Sequence, residues 1–139
     1  MVWEGDVDIV VIPGTAGEMG ILPNHAPLLS TLNFGILKVR HKGEEEVFTV
    51  AGGVVEVQPD LITVLADSAE NVAEIDVARA EEARKRAEDL IREGPSVDTD
   101  AYLKLDAALR RSNLRLEAVR RFRGGKRSRT PSISQTETE

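Results

Sequence analysis

Glycines at 14, 17 and 20 in PGTAGEMG have the types and spacing of a loop that could set backbone amides against a phosphate, since a residue without a Cβ lets the chain approach an anion closely. The context is against that chemistry. A dinucleotide loop opens directly into a helix, whereas here ILPNHAP follows with two prolines within five residues. The stretch therefore reads as an irregular connection with Glu18 and His25 at its edges. His25 and His41 stand sixteen residues apart without helical ligand spacing, and the chain has no cysteine. Disulfides, zinc–thiolate and iron–sulfur centres and thiol nucleophiles are excluded together. Neither histidine has a neighbouring nucleophile with a reason to be activated. The residues predict no catalytic group and no metal site.

The elements that must carry these groups follow from length, charge and periodicity. A chain of 139 residues is long enough for a modest core and too short for a large self-contained enzyme. Eighteen Lys and Arg against twenty-four Asp and Glu give a net charge of −6, so the whole molecule is no obvious nucleic-acid binder. The charge is uneven: residues 1–70 carry a net −8 and residues 71–139 a net +2, which points to two regions with different roles. The longest run of large apolar residues is Ile9 to Ile12, far short of the ~20 that a membrane-spanning helix needs.

From Val7 to Ala66, the runs VDIVVI, GILKVR, EVFTVA, VVEVQ and LITVLA read as strands. Leu37, Val39, Val55 and Val57 alternate with Lys38, Arg40, Glu56 and Gln58 at period two. Lys42-Gly43, Gly52-Gly53 and Pro59-Asp60 carry turn chemistry between the runs. Residues 1–70 are thus expected to form an all-β sandwich, and residues 71–123 an antiparallel α-helical hairpin. Asp76 is placed to cap a helix over Val77–Glu93, which Gly94-Pro95 stops. Its apolar stripe is Val77, Ala80, Ala83, Ala87, Leu90 and Ile91. PSVDTD supplies a turn and a second cap, and Asp100–Arg123 forms a longer helix with Ala101, Leu105, Ala108, Ser112, Leu116, Val119 and Phe122 on one side. Small residues in both stripes predict a close, weakly held pair. Residues 124–139, rich in Gly, Ser, Thr and Pro, are expected to be a disordered tail.

The stretch GTAGEMGILPNHAPLLSTLNFGIL, from Gly14 to Leu37, closely resembles the epsilon subunit of F-type ATP synthases. AGGVVEVQPD at 51–60, ITVLAD at 62–67 and IDVARA at 75–80 match in the same order, so the resemblance covers residues 3–123. It implies a non-catalytic rotor subunit that couples proton flow through the c-ring to ATP synthesis and inhibits ATP hydrolysis through its carboxy-terminal helices. The implied partners are the gamma subunit, the c-ring and, through those helices, the alpha and beta subunits. No nucleic acid is implied, and membrane association only through the complex, peripheral on the cytoplasmic face of the bacterial cell membrane. Family members carry a first strand ahead of the segment that reads VWEGDVDIVV here, so the amino end is expected to lack it and to expose a strand edge.

The resemblance also implies site residues. Glu18 and His25 match the acid and histidine that meet the polar loops of the c-ring. Ile75, Asp76, Arg79 and Ala80 match a motif through which some members bind ATP, with Glu70 and Arg86 at contributing positions. ATP is thereby implied as a regulatory ligand, with no obligatory cofactor. The second helix holds Lys104, Arg110, Arg111, Arg115, Arg120, Arg121 and Arg123 against three acids, and Lys126, Arg127 and Arg129 extend the run. In the family such a helix leaves the hairpin and meets an acidic beta-subunit segment. Read without the resemblance, Asp76 is an ordinary cap, Arg79 a solvated first-turn residue, and the basic helix a solvated or nucleic-acid-facing surface.

Overall fold

The computed structural model describes residues 3–94 and 98–123. The expected tail at 124–139, with Lys126, Arg127 and Arg129, lies outside them. The chain divides into two compact units between Glu74 and Ile75.

The first unit is an antiparallel sheet of β1 (Ile9–Gly14), β2 (Gly17–Ile21), β3 (Leu28–His41), β4 (Glu44–Gln58), β5 (Leu61–Ala66) and β6 (Ala69–Asn71), followed by a 3-10 turn over Val72–Glu74. The strands run in the order β2-β1-β3-β4-β5, with β6 also paired to β4. Alternation set the inward residues correctly. Leu37, Val39, Val55 and Val57 are buried with Val10, Ile12, Ile21, Leu32, Phe48 and Val50 in one apolar cluster, against which Trp3 and Val7 pack.

Three expectations fail here, each for a physical reason. The stretch after Gly14 is no irregular connection: Gly17–Ile21 is a strand, paired with β1 from Val10↔Ile21 to Gly14↔Gly17. Its glycines close a tight hairpin and leave Met19 and Ile21 to face inward, a pattern too short to show as alternation. GILKVR is only the second half of a strand that starts at Leu28. EVFTVA and VVEVQ are one strand, because Gly52-Gly53 bends the chain without reversing it.

That bend is what folds the sheet over its core. Gly52 and Gly53 have φ of 83° and 132°. The partner strand turns with them: Gly53 pairs with Ala66 in β5 and Val50 with Ala69 in β6. Between the halves, Asp67 N–H donates to Gly52 O at 3.0 Å and Ala51 N–H to Ser68 O at 2.9 Å. A second close approach lies where β1 meets β3, at a break in register between Val11 and Gly14. There a Cβ on Gly35 would stand 2.7 Å from Pro13 Cβ.

The second unit is a helical hairpin. Helix α1 (Val77–Glu93) starts at Asp76, whose carboxylate accepts from Arg79 N–H at 3.1 Å. Helix α2 (Thr99–Ala118) is capped by Asp98, which accepts from Asp100 N–H at 3.0 Å. The winding does not stay α-helical to Arg123: residues Val119–Arg123 form a π-helical turn. The fully buried positions are Ala80 and Ala87 on α1 and Ser112 and Ala118 on α2, so the innermost seam is built from small side chains, flanked by half-buried Ile91, Leu105, Leu109 and Leu116. Leu90, expected in the stripe, is 45% exposed. So narrow a seam admits one residue per turn, and Ile91 continues the line of Ala80 and Ala87 about as well.

Candidate functional site: polar loops, helix-base arginines and a basic helix

Glu18 lies on β2, exposed, opposite Pro13. Its register follows from Met19 and Ile21 turning inward, which sends Glu18 and Gly20 out. His25 lies in the loop leading to β3 and is half-buried. Its Nδ1 lies 2.7 Å from Ala26 O, the geometry of a ring N–H donating to its own turn. Asn24 takes a positive φ of 63°, and its N–H donates to Pro59 O at 3.0 Å, which pins this loop to the β4–β5 turn. Nε2 is the nitrogen that turn leaves for other chemistry. The second histidine, His41, sits at the end of β3 opposite Glu44. Among the described residues, no group of three His, Cys, Asp or Glu is arranged to hold a metal ion.

The residues matched to the ATP motif fall into two kinds. Ile75 and Ala80 are buried at 4% and 2% exposure and serve packing. Asp76 is occupied as the α1 cap. Arg79 and Arg86 are exposed and seven residues apart, two turns of helix, so both leave the same face of α1 at a rise of about 10 Å. Two guanidinium groups in that array suit an extended anion with several phosphate groups. Glu70 belongs to the first unit, in β6 opposite Thr49.

The seven bases of the second helix do not form one face. Lys104, Arg110, Arg120 and Arg121 are exposed, while Arg111, Arg115 and Arg123 are half-buried on the flank of the hairpin. Arg121 stacks over the Phe122 ring at 5.1 Å from its centroid. Arg123 Nη2 donates to Ile75 O at 2.6 Å. Periodicity missed that bond, because its acceptor is a backbone carbonyl outside the helix stripes.

One surface had no warning in the sequence. On the outer side of β3, β4 and β5, Leu29 pairs with Glu56, and Val54 lies between Thr31 and Leu65. Leu29, Val54, Leu61 and Leu65 are 71%, 40%, 56% and 69% exposed. Only the strand register brings them to one face.

A family model described as ATP synthase, Delta/Epsilon chain, beta-sandwich domain matches residues 1–72. A second, described as ATP synthase, Delta/Epsilon chain, long alpha-helix domain, matches residues 73–120. An ATP synthase epsilon chain from Pelotomaculum thermopropionicum is 52% identical over 88 residues, covering 63% of this chain and 66% of that one. An epsilon chain from Dehalococcoides mccartyi is 47% identical over 128 residues, covering 88% and 86%. Among solved structures, a chain of the Euglena gracilis mitochondrial ATP synthase, in its OSCP/F1/c-ring assembly, superimposes with a TM-score of 0.68 at 25% identity over 85% of this chain and 72% of that one. The chain belongs to the ATP synthase delta/epsilon chain family and is of its epsilon type, a non-catalytic stalk subunit of that complex.

Proposed function

We propose that the sandwich joins the gamma subunit to the c-ring in the rotor of a proton-translocating ATP synthase, and that the hairpin restrains ATP hydrolysis. The observation that supports the rotor reading most is the exposed apolar face of Leu29, Val54, Leu61 and Leu65. Several large aliphatic side chains gathered on one sheet face favour burial against a partner. In this reading that face meets gamma, while Glu18 and His25 meet polar loops of the c-ring. The subunit would then lie peripherally on the cytoplasmic face of the bacterial membrane, held only through the complex; no described helix is long and apolar enough to cross a membrane. A tagged full-length chain is expected to bring gamma, alpha and beta subunits from a membrane extract. Replacing Leu29 and Leu65 by Asp should abolish that recovery while the purified chain keeps its circular dichroism. Recovery of none of these subunits by the unaltered chain would overturn the reading.

Regulation by ATP is the second part of the proposal, supported by the array of Arg79 and Arg86 on one face of α1. ATP bound there would favour the closed hairpin by binding it better than an open one. Isothermal titration of the full chain should show binding that Arg79→Ala weakens by about tenfold or more, the effect of losing one charge-assisted bond to phosphate. No heat at millimolar ATP would remove the nucleotide claim. An unchanged affinity in Arg79→Ala would remove this site.

A further inference from the structure

We infer that Arg123 is a clasp that holds the open end of the hairpin shut. Ile75 directly precedes the α1 cap, so its carbonyl stands outside the helical bonding ladder. Arg123 reaches that oxygen across 48 positions of sequence, in a partly buried bond of 2.6 Å. The bond joins the last described turn of the α2 arm to the first residue of the unit.

Its place on the helix explains why this arginine can do so. At about 100° per residue, helical winding sets Arg123 only about 20° around from the buried Ser112, on the side of the arm that faces α1. The neighbouring bases do otherwise: Arg120 and Arg121 remain exposed, and Arg121 covers Phe122.

The clasp matters because the innermost seam is made of small side chains. Its fully buried helix positions are three alanines and a serine, so a charge-assisted bond at the open end adds appreciably to what closes the hairpin. Arg123 is also among the bases that the proposed brake would turn towards an acidic partner, and this inference rests on that reading in one respect: the hairpin must open. The same guanidinium cannot hold Ile75 O and a partner carboxylate together. Opening the clasp and arming the helix are then one event.

The chain has no native cysteine, so spin labels can be placed cleanly at Glu82→Cys and Glu117→Cys, exposed positions on α1 and α2. Pulsed dipolar spectroscopy on the full chain reads the fractions with short and long separation. Arg123→Gln should raise the open-to-closed ratio by about tenfold. Lys85→Gln, which removes an exposed cation from α1, should leave it unchanged. Arg123→Lys keeps a charged donor and should open less than Arg123→Gln, which guards against a general loss of fold. An open population in the unsubstituted labelled chain that Arg123→Gln does not enlarge, or that Lys85→Gln enlarges equally, overturns the clasp alone. A single short separation in every version overturns the clasp and the opening hairpin together.

Discussion

Gly53→Ala is expected to lower the stability of the sandwich by about 3 kcal/mol or more, a large share of what a domain of this size has to lose. Two effects add. At a φ of 132° the backbone is in a region that an L side chain seldom adopts. The new Cβ would also stand 2.7 Å from Ala66 Cα, and closer still to the Leu65 carbonyl oxygen. Both obstacles are backbone atoms in the paired strand, so no rotamer change relieves the overlap. Relief requires β4 and β5 to separate at the bend. Gly43→Ala is the matched comparison, since Gly43 has a φ of 82° with nothing within 4 Å of the added carbon, and strain alone should cost about 1 kcal/mol. Trp3, the single tryptophan, packs against the core and reports unfolding of this unit by fluorescence. Thermal midpoints should fall by more than about 10 °C for Gly53→Ala and by about 5 °C for Gly43→Ala. Equal losses would mean that the bend tolerates a side chain and that the glycine pair has no structural function there.

The same glycines show what the sequence could and could not disclose. Period-two alternation is a property of local backbone, and by itself it identifies the inward residues Leu37, Val39, Val55 and Val57. A positive-φ pair does not distinguish a reversal from a bend; what decides is the partner strand, and Asp67-Ser68 lies some fifteen residues downstream. The second half of β3 was legible while its first half was hidden, because LLSTLNF mixes inward Leu28 and Leu32 with an outward Leu29 that belongs to a different surface. In the hairpin, composition and the caps disclosed both helices and the small-residue seam. The π turn escaped because it changes the winding without changing residue type.

The candidate site was legible in the same uneven way. Glu18, Arg79 and Arg86 were found through matched motifs and are exposed, as a binding role requires. Ile75 and Ala80 were found by the same matching, yet they are buried. A motif records which residues occur together and does not separate those that could touch a ligand from those that shape the backbone around it. The apolar face of β3, β4 and β5 had no signature, because its four residues come from three strands and become neighbours only through register.

Removing positive charge from the exposed side of α2 is expected to release hydrolysis in the assembled enzyme. Lys104, Arg110, Arg120 and Arg121 are the exposed bases of the helix, whereas Arg111, Arg115 and Arg123 are half-buried on the hairpin. An arriving acidic surface would therefore meet the exposed group first. Each exposed pair contributes little alone, about 0.5 kcal/mol. Several acting together at a partly desolvated interface give more, through charge-assisted bonds of about 1.5–3 kcal/mol each. Replacing Arg110, Arg120 and Arg121 by Ala together should cost roughly 3 kcal/mol of holding energy, about a hundredfold in the ratio of engaged to free helix. ATP hydrolysis by reconstituted complexes should rise several-fold, towards that of a chain ending at Gly94, which lacks α2. Proton-driven synthesis should be largely retained, because the sandwich that carries Glu18, His25 and the apolar face is untouched. Restraint by the unaltered chain should also weaken as ionic strength rises, since screening acts most on exposed charge and less on the partly buried clasp of Arg123. Hydrolysis unchanged by both the substitutions and the truncation would show that the hairpin is no brake, and would leave the chain a structural coupler. Hydrolysis released by the truncation but not by the substitutions would move the holding energy to the bases left in place, Lys104, Arg111, Arg115 and Arg123.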